Sequence, residues 1–373
     1  MRILYVCDAL AIYGGVERVL VEKANWLAEY GDCEVCLLTV NQGKQLVCFP
    51  LNPKVLYDDL NIRFYQQYQL SFWKRLIRIR QLHHLFRERL GSVIKTMVPD
   101  IIVCVCLDYV HDIVRVKGDI PLVFESHSSR LASRFEGNGM LRRLHVWYLQ
   151  QAVRKSRIVV ALTKGDADEW RKLTPNVCVI PNVVHLNDSG VYGDCSAKSV
   201  IFVGRFSKQK DVGSLLRIWT LVHQRHPDWS LHVYGGYFVE QDVLLDEIRQ
   251  LDANIHVYEP TPDMLEKYKE SSVLLLTSRY EPFGLVLPEA MSCGLPVVAF
   301  DCPYGPADII SNGTDGFLVK SGDIKCYVEK VCCLLENWDL RQKMGRAGKQ
   351  ASQRFDASRV MPMWKNVFEQ IFK

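Results

Sequence analysis

Short apolar runs alternate with helix-patterned segments along the whole chain, and this alternation restricts the fold more than any other feature. In the first half the runs are Arg2 to Asp8, Glu34 to Val40, Asp100 to Leu107, Pro121 to Ser126 and Arg157 to Thr163. A second set comprises Ser199 to Phe206, Trp229 to Tyr234, Asn254 to Tyr258, Val273 to Ser278, Pro296 to Phe300 and Gly316 to Lys320. Strands separated by helices must return by crossovers, so the expected architecture is α/β with parallel sheets covered on both faces. The stretch Val183 to Ser199 is rich in Gly, Asp, Asn and Ser and reads as a linker, with the division between two Rossmann-like domains near residues 185 to 198. The expected boundaries are 1–185, 199–355 and a closing segment 356–373, whose helix from about Ala357 to Phe372 carries the aromatics Trp364, Phe368 and Phe372. Ligands of such sheets bind beyond the carboxyl ends of the strands, and a cleft between two of them is the natural active site.

The 373 residues suffice for two domains of ordinary size. With 48% hydrophobic and 24% charged residues, a soluble globular protein is expected. Thirteen cysteines lack a repeated metal-ligand spacing and read as small core residues of a reducing cytosol. The N-terminal run from Met1 to Asp8 is too short for a signal peptide and reads as a first strand. No run reaches the roughly 18 to 20 apolar residues of a membrane span, so membrane contact is expected to be peripheral. The net charge of +4 is modest, and no nucleic-acid partner is expected. Basic residues are nevertheless dense from Phe72 to Lys95, where Lys74, Arg75, Arg78, Arg80, Arg87, Arg89 and Lys95 face one acid, Glu88. Leu76, Ile77, Leu82, Leu85 and Phe86 are interleaved with them. This is a basic amphipathic helix or helix pair. It reads either as a surface for anionic lipid, each basic residue contributing about 1 kcal/mol, or as the solvated face of a packed helix.

The segment from Glu281 through Phe283-Gly284-Leu285-Val286 to Glu289 places two carboxylates across a strand-to-helix loop. Pro288 is tolerated only if a helix begins close to it, so Glu281 belongs to the loop and Glu289 to the first turn. Backbone N–H groups around Phe283 to Val286 would be left free there and favour an anion. Two hydroxyl-binding carboxylates beside a phosphate-binding helix end describe a pocket for a sugar nucleotide. This stretch, continuing through Gly294-Leu-Pro296, resembles the Glu, seven residues, Glu signature of retaining GT-B glycosyltransferases, in particular family 4. Similar segments recur from Arg2 to Thr314. The resemblance implies two Rossmann-like domains with parallel sheets facing across a cleft, 1–185 binding the acceptor and 199–355 the nucleotide sugar, and a last helix, 356–373, that crosses back to the first domain. It gives Glu281 the donor-sugar hydroxyls and Glu289 the ribose.

Other segments acquire roles by the same resemblance. Gly14-Gly15 opens a helix reaching about Tyr30; paired glycines let a backbone approach a pyrophosphate, and in the family this loop closes over donor phosphates and acceptor. The absence of G-x-G-x-x-G counts against a nicotinamide cofactor, and no cofactor is expected. Arg205 and Lys210 resemble the pair that neutralises the departing nucleoside diphosphate, charge that grows as the glycosidic bond breaks. His127, just past a strand end, matches a family histidine near the transferred sugar. Asn182 fits a Pro-Asn motif at the domain hinge, although a turn residue would account for it equally. Asp166-Ala-Asp168 mimics the metal motif of a different glycosyltransferase fold, but Thr163 three positions earlier makes it read as an N-capped helix start.

The implied reaction is sugar transfer from a nucleotide diphosphate with retention of configuration. Double displacement would need a carboxylate nucleophile, and no residue is a compelling candidate. In the family the favoured route is front-side attack, with the donor phosphate taking the acceptor proton and no metal required. Phe300 to Ile310 resembles bacterial surface-glycan enzymes that transfer N-acetylgalactosaminyl or glucosyl units. That subgroup implies a UDP-sugar donor, an acceptor linked to polyprenyl diphosphate or a wall polymer, and a place on the inner face of the cytoplasmic membrane. The competing functions are a GT-B sugar-nucleotide 2-epimerase, which needs no acceptor, and a silent sugar-nucleotide-binding partner of a membrane complex.

Overall fold

A computed structural model describes residues 1–131, 139–235 and 241–372. The chain divides into two compact units. Residues 1–131, 139–183 and 357–372 form the first, and described residues from 184 to 356 form the second.

The first unit is built on a seven-stranded sheet of β1 (Arg2–Cys7), β2 (Glu34–Thr39), β3 (Leu56–Asp59), β4 (Ile101–Cys104), β5 (Leu122–Ser126), β6 (Ile158–Ala161) and β7 (Val177–Val179), in the order β3-β2-β1-β4-β5-β6-β7. Every neighbouring pair is parallel. Successive β1 side chains point to opposite faces. Ile3 and Tyr5 enter a core with helix Gly15–Tyr30 and the last helix, Ala357–Phe372. Leu4 and Val6 enter a second core with Leu82, Phe86, Leu90 and Ile94 of helix Phe72–Met97. In the last helix Trp364 and Phe368 are buried and pack ring to ring at 5.5 Å, whereas Phe372 is exposed.

The second unit repeats the design with six strands, β8 (Ser199–Val203), β9 (Ser230–Tyr234), β10 (Ile255–Tyr258), β11 (Val273–Leu276), β12 (Val297–Asp301) and β13 (Gly316–Lys320), ordered β10-β9-β8-β11-β12-β13 and again all parallel. In each sheet the order reverses beside the first strand, between β1 and β4 and between β8 and β11. Crevices at such switch points bind ligands.

One expectation needs adjustment and another is narrowed. From Val184 onward the supposed linker is largely exposed but tethered at a few buried points. Leu186, Asn187 and Cys195 are buried, Asn187 N–H donates to Ser292 Oγ at 3.0 Å, and Arg341 Nε donates to the Cys195 carbonyl at 3.0 Å. The basic segment is a single helix, Phe72–Met97, whose apolar residues do not act alike. Leu82 and Phe86 are core, but Leu76 and Ile77 are exposed. Among the described residues no helix is long and apolar enough to cross a membrane.

Candidate active site

In the second unit the chain leaves β8 through Gly204 and Arg205 and turns into helix Val212–Arg225. Arg205 is exposed at the strand end. Lys210 lies across Gly204, where a Cβ would come within 3.3 Å of the lysine stem. Its Nζ reaches Glu281 Oε2 at 2.5 Å, and Ser278 Oγ donates to the same oxygen at 3.0 Å. The β8 and β11 loops are further joined by Thr277 Oγ1, which donates to the Lys210 carbonyl at 3.0 Å, and Gln209 Nε2, which donates to the Tyr280 carbonyl at 3.2 Å. A lysine and a glutamate with little solvent exposure are thus held beyond the carboxyl ends of β8 and β11.

Glu281 is fixed by its backbone as well. Its N–H donates to the Pro303 carbonyl at 2.6 Å, and its own carbonyl accepts from Tyr304 and Gly305 at 2.9 and 2.8 Å. Gly305 must be glycine, because a Cβ there would lie 1.9 Å from the Phe283 carbonyl oxygen. Gly284 has φ +95, a left-handed conformation costly for other residues, and a Cβ there would lie 3.0 Å from Glu281 Cγ. Leu285 and Val286 lead into helix Val286–Ser292, where Glu289 occupies the first turn as expected. Glu289 is buried and accepts from Tyr268 Oη at 3.2 Å. The Phe283 ring is buried edge-on against Phe355 at 5.4 Å, so its side chain is a packing element and only its backbone could face a ligand.

In the first unit Gly14 caps helix Gly15–Tyr30 with extended backbone, φ −101, and Glu17 Oε2 fills the space where its side chain would be. Gly15 is exposed at the first helical position. Asn182 is buried, with its Oδ1 unpartnered among the described residues. His127 follows β5 and is nearly buried, its Nε2 3.0 Å from Glu125 Oε1 although poorly aligned for a hydrogen bond. Residues two apart on a strand share a face, which is how Glu125 reaches it. Glu125 is fully buried, and both its oxygens are bonded by the buried Lys23 ammonium from helix Gly15–Tyr30. That ammonium also stands 4.2 Å over the Trp364 ring. Burial alone would push the Glu125 carboxyl up; Lys23 and then His127 outweigh it and hold it at about 2. Burial draws Lys23 below its ordinary value against the pull of Glu125. With both carboxylate oxygens contacted and ring faces around the ammonium, the ionised pair is the state the geometry favours.

Thr163 caps helix Lys164–Arg171 by accepting from Asp166 N–H at 3.3 Å, so Asp166 starts a helix as expected. Its carboxylate is buried among Ser126 Oγ, Trp170 Nε1 and Arg130 N–H, whereas Asp168 is exposed and paired to Arg171.

Sequence reasoning passed over Lys23 and Glu125. A lysine among the apolar positions of the first helix and an acid two residues before the singled-out histidine were the available signals.

Comparison with known proteins gives this arrangement a class. The family model "Glycosyl transferases group 1" matches residues 195–351, and "Glycosyltransferase Family 4" matches residues 13–188. Together they leave out little beyond the termini, and the chain belongs to these glycosyltransferases. It is 26% identical to the amylovoran biosynthesis glycosyltransferase AmsD of Erwinia amylovora, over 98% of this chain and 99% of that one. It is 26% identical to the lipopolysaccharide 1,6-galactosyltransferase of Escherichia coli K12, over 88% and 87%. Among solved structures, S. aureus TarM, as a mutant in complex with fondaparinux, α-GlcNAc-glycerol and UDP, superposes with a TM-score of 0.80 at 14% identity, covering 98% of this chain and 99% of that one. The fold is GT-B, and the protein is a glycosyltransferase.

Proposed function

We propose that the chain is a retaining transferase that moves a hexosyl or N-acetylhexosaminyl unit from a UDP-sugar to a hydroxyl of a lipid-linked or cell-surface glycan. The observation that carries this reading is the Lys210–Glu281 pair with Ser278, beyond the carboxyl ends of β8 and β11. Without donor, each charge neutralises the other. With donor, Glu281 accepts from sugar hydroxyls while Lys210 and Arg205 turn to the diphosphate, Glu289 accepts from the ribose, and the Phe283 to Val286 backbone lies against phosphate. The bond from the anomeric carbon to the β-phosphate oxygen breaks, and the acceptor oxygen bonds to that carbon on the same face. Its proton passes to the departing phosphate. Charge grows on UDP during this step, so the two cations act chiefly on the transition state. In this reading they supply the neutralisation that other folds take from a metal.

In the first unit Gly14 and Gly15 belong to the loop beside donor phosphates and acceptor, His127 positions the donor sugar, and Asn182 serves the hinge. The protein would work in the cytoplasm, at the inner membrane face. The polysaccharide and lipopolysaccharide enzymes among its relatives and the UDP in a structural neighbour support this reading.

The test is UDP release from a panel of UDP-sugars with a polyprenyl-diphosphate glycan, followed by the anomeric coupling constant of the product. We expect one UDP-sugar to be consumed, an α-configured product, and loss of turnover in Glu281→Ala with the fold intact. Undiminished turnover in that variant would refute the role of Glu281, and an inverted product would refute retention.

A further inference from the structure

The Lys23–Glu125 pair occupies a place where apolar side chains would serve the core as well. Both side chains are 1% exposed, and uncharged residues of similar volume can commonly replace such a pair without loss of stability. Stability alone does not account for it.

Three elements of the first unit converge on the pair. Glu125 lies near the end of β5, Lys23 comes from helix Gly15–Tyr30, and the last helix supplies Trp364. Ring faces close off the ammonium, with the Trp364 and Tyr5 centroids 4.2 and 5.5 Å from its nitrogen. Lys23 also decides the charge of its partner. Burial without a counter-ion would favour the neutral acid, whereas with Lys23 on both oxygens the carboxyl is held at about 2. An ionised carboxylate can only accept hydrogen bonds.

The other side chain on that carboxylate is His127. Its Nε2 stands 3.0 Å from Oε1, and this buried nitrogen has no aligned hydrogen-bond partner among the described residues. A nitrogen that faces an acceptor-only oxygen must carry a proton, and in a neutral imidazole the other nitrogen then keeps its lone pair. Rotation of the ring brings Nε2–H into line with Oε1, since the separation is already that of a hydrogen bond. The backbone on either side of the ring is pinned separately. Ser126 Oγ donates to Asp166 Oδ2 at 2.9 Å, and Arg130 N–H donates to Asp166 Oδ1 at 2.7 Å. Asp166 thus holds the chain around His127, and Glu125 addresses its ring.

We propose that Glu125, kept ionised by Lys23, is a positioning residue for His127. It draws the imidazole proton to Nε2 and leaves Nδ1 as an acceptor for a hydroxyl of the donor sugar. The inference rests on the reading of His127 as a residue that positions that sugar, and it adds the pair that orients the histidine.

The first readout is made on the full-length wild type. Imidazole 15N shifts of His127, assigned by their absence in His127→Ala, should show the proton on Nε2 alone. A proton on Nδ1, alone or as well, would overturn the inference. The second readout replaces the pair by apolar side chains, Lys23→Met/Glu125→Met, in the wild type and in a His127→Ala background. We expect kcat/KM for the UDP-sugar to fall about tenfold in the wild-type background, as when one hydrogen bond in the reacting complex is misplaced. Lys23→Met/Glu125→Gln, whose amide oxygen still accepts, should lose no more than about threefold. In the His127→Ala background the Met pair should change kcat/KM by less than about twofold, because residues acting through one another are not additive. Equal losses in the two backgrounds would make the pair structural and overturn the inference alone. Full turnover in His127→Ala would instead fail the reading of the histidine.

Discussion

The two sheets share a strand order around their first strand, yet their polar clusters are distributed differently along the chain. In the second unit Arg205 and Lys210 follow β8 directly, and Ser278, Glu281 and Glu289 follow β11, so two loops carry the candidate donor site. In the first unit Asp8, Asn41, Arg80, Tyr109 and Arg115 come from four separate segments and meet only in the folded unit, around a basic cavity. A site written in contiguous loops leaves a motif; a cluster assembled from helix faces leaves only composition. Their electrostatics differ as well. The second unit keeps its Lys–Glu pair at the strand ends with a little solvent exposure, 13% and 8%. The first unit seals Lys23 and Glu125 entirely, where the pair can only position its neighbours.

The largest effect that could break this contrast is on turnover. We expect Lys210→Ala to lower kcat by about a hundredfold to a thousandfold, as when a preorganised group facing developing charge is removed, with little change in thermal midpoint. A loss below about threefold would place the leaving-group charge elsewhere. In the first unit the expectation is reversed, with stability affected first. Glu125→Gln leaves a buried ammonium unpaired and should cost about 3–5 kcal/mol in denaturant unfolding, most of it recovered in a Lys23→Met/Glu125→Gln double variant. No recovery would mean that the pair is not the source of the loss.

Smaller effects sharpen the electrostatic contrast within the first unit. Glu125 has a counter-ion and is held at about 2, whereas Asp166, pushed up by burial against hydrogen bonds from Arg130 N–H, Ser126 and Trp170, stands at about 6. Glu125 therefore contributes stability in full above about pH 4.5, its ordinary value, and loses it as pH falls toward 2. Asp166 has the opposite sign. The folded state holds its proton more tightly than the unfolded chain, so stability falls as pH rises from 3.8 to about 6. Carboxyl carbon shifts followed by NMR should show these two midpoints. Coincident midpoints near 4 would remove the distinction. The smallest expected change is in Tyr268→Phe, which deletes the hydroxyl donating to Glu289. UDP affinity should weaken about two- to tenfold, the range of one hydrogen bond, and calorimetry with no change would detach Glu289 from the ribose.

How legible each part was follows from burial. Central strands such as Ile101–Cys104 and Val273–Leu276 are apolar on both faces and stand out as runs. The edge strands β3 and β7 escaped notice because Leu56–Asp59 is largely exposed and half acidic, and Val177–Val179 is three residues long. Glu289 in its first turn and Thr163 as a cap were readable from local rules about proline and capping. Phe283 was not, since only the fold shows its ring turned against Phe355. The Gly-rich stretch after Val184 looked like a free linker because its contacts, with Ser292 and Arg341, lie about a hundred residues or more further on. Long-range pairing also hid the Lys23–Glu125 bond and the basic cavity.

The measurement we would make first is thermal protection by saturating UDP-sugars, in the wild type and in an Arg205→Ala/Lys210→Ala variant. A ligand at a hundred times its Kd stabilises by about 2.7 kcal/mol. The expected result is a raised midpoint with one UDP-sugar that disappears in this variant and survives in Arg80→Gln. An equal shift in both proteins, or none with any UDP-sugar, would contradict a donor site built on the second unit's strand ends.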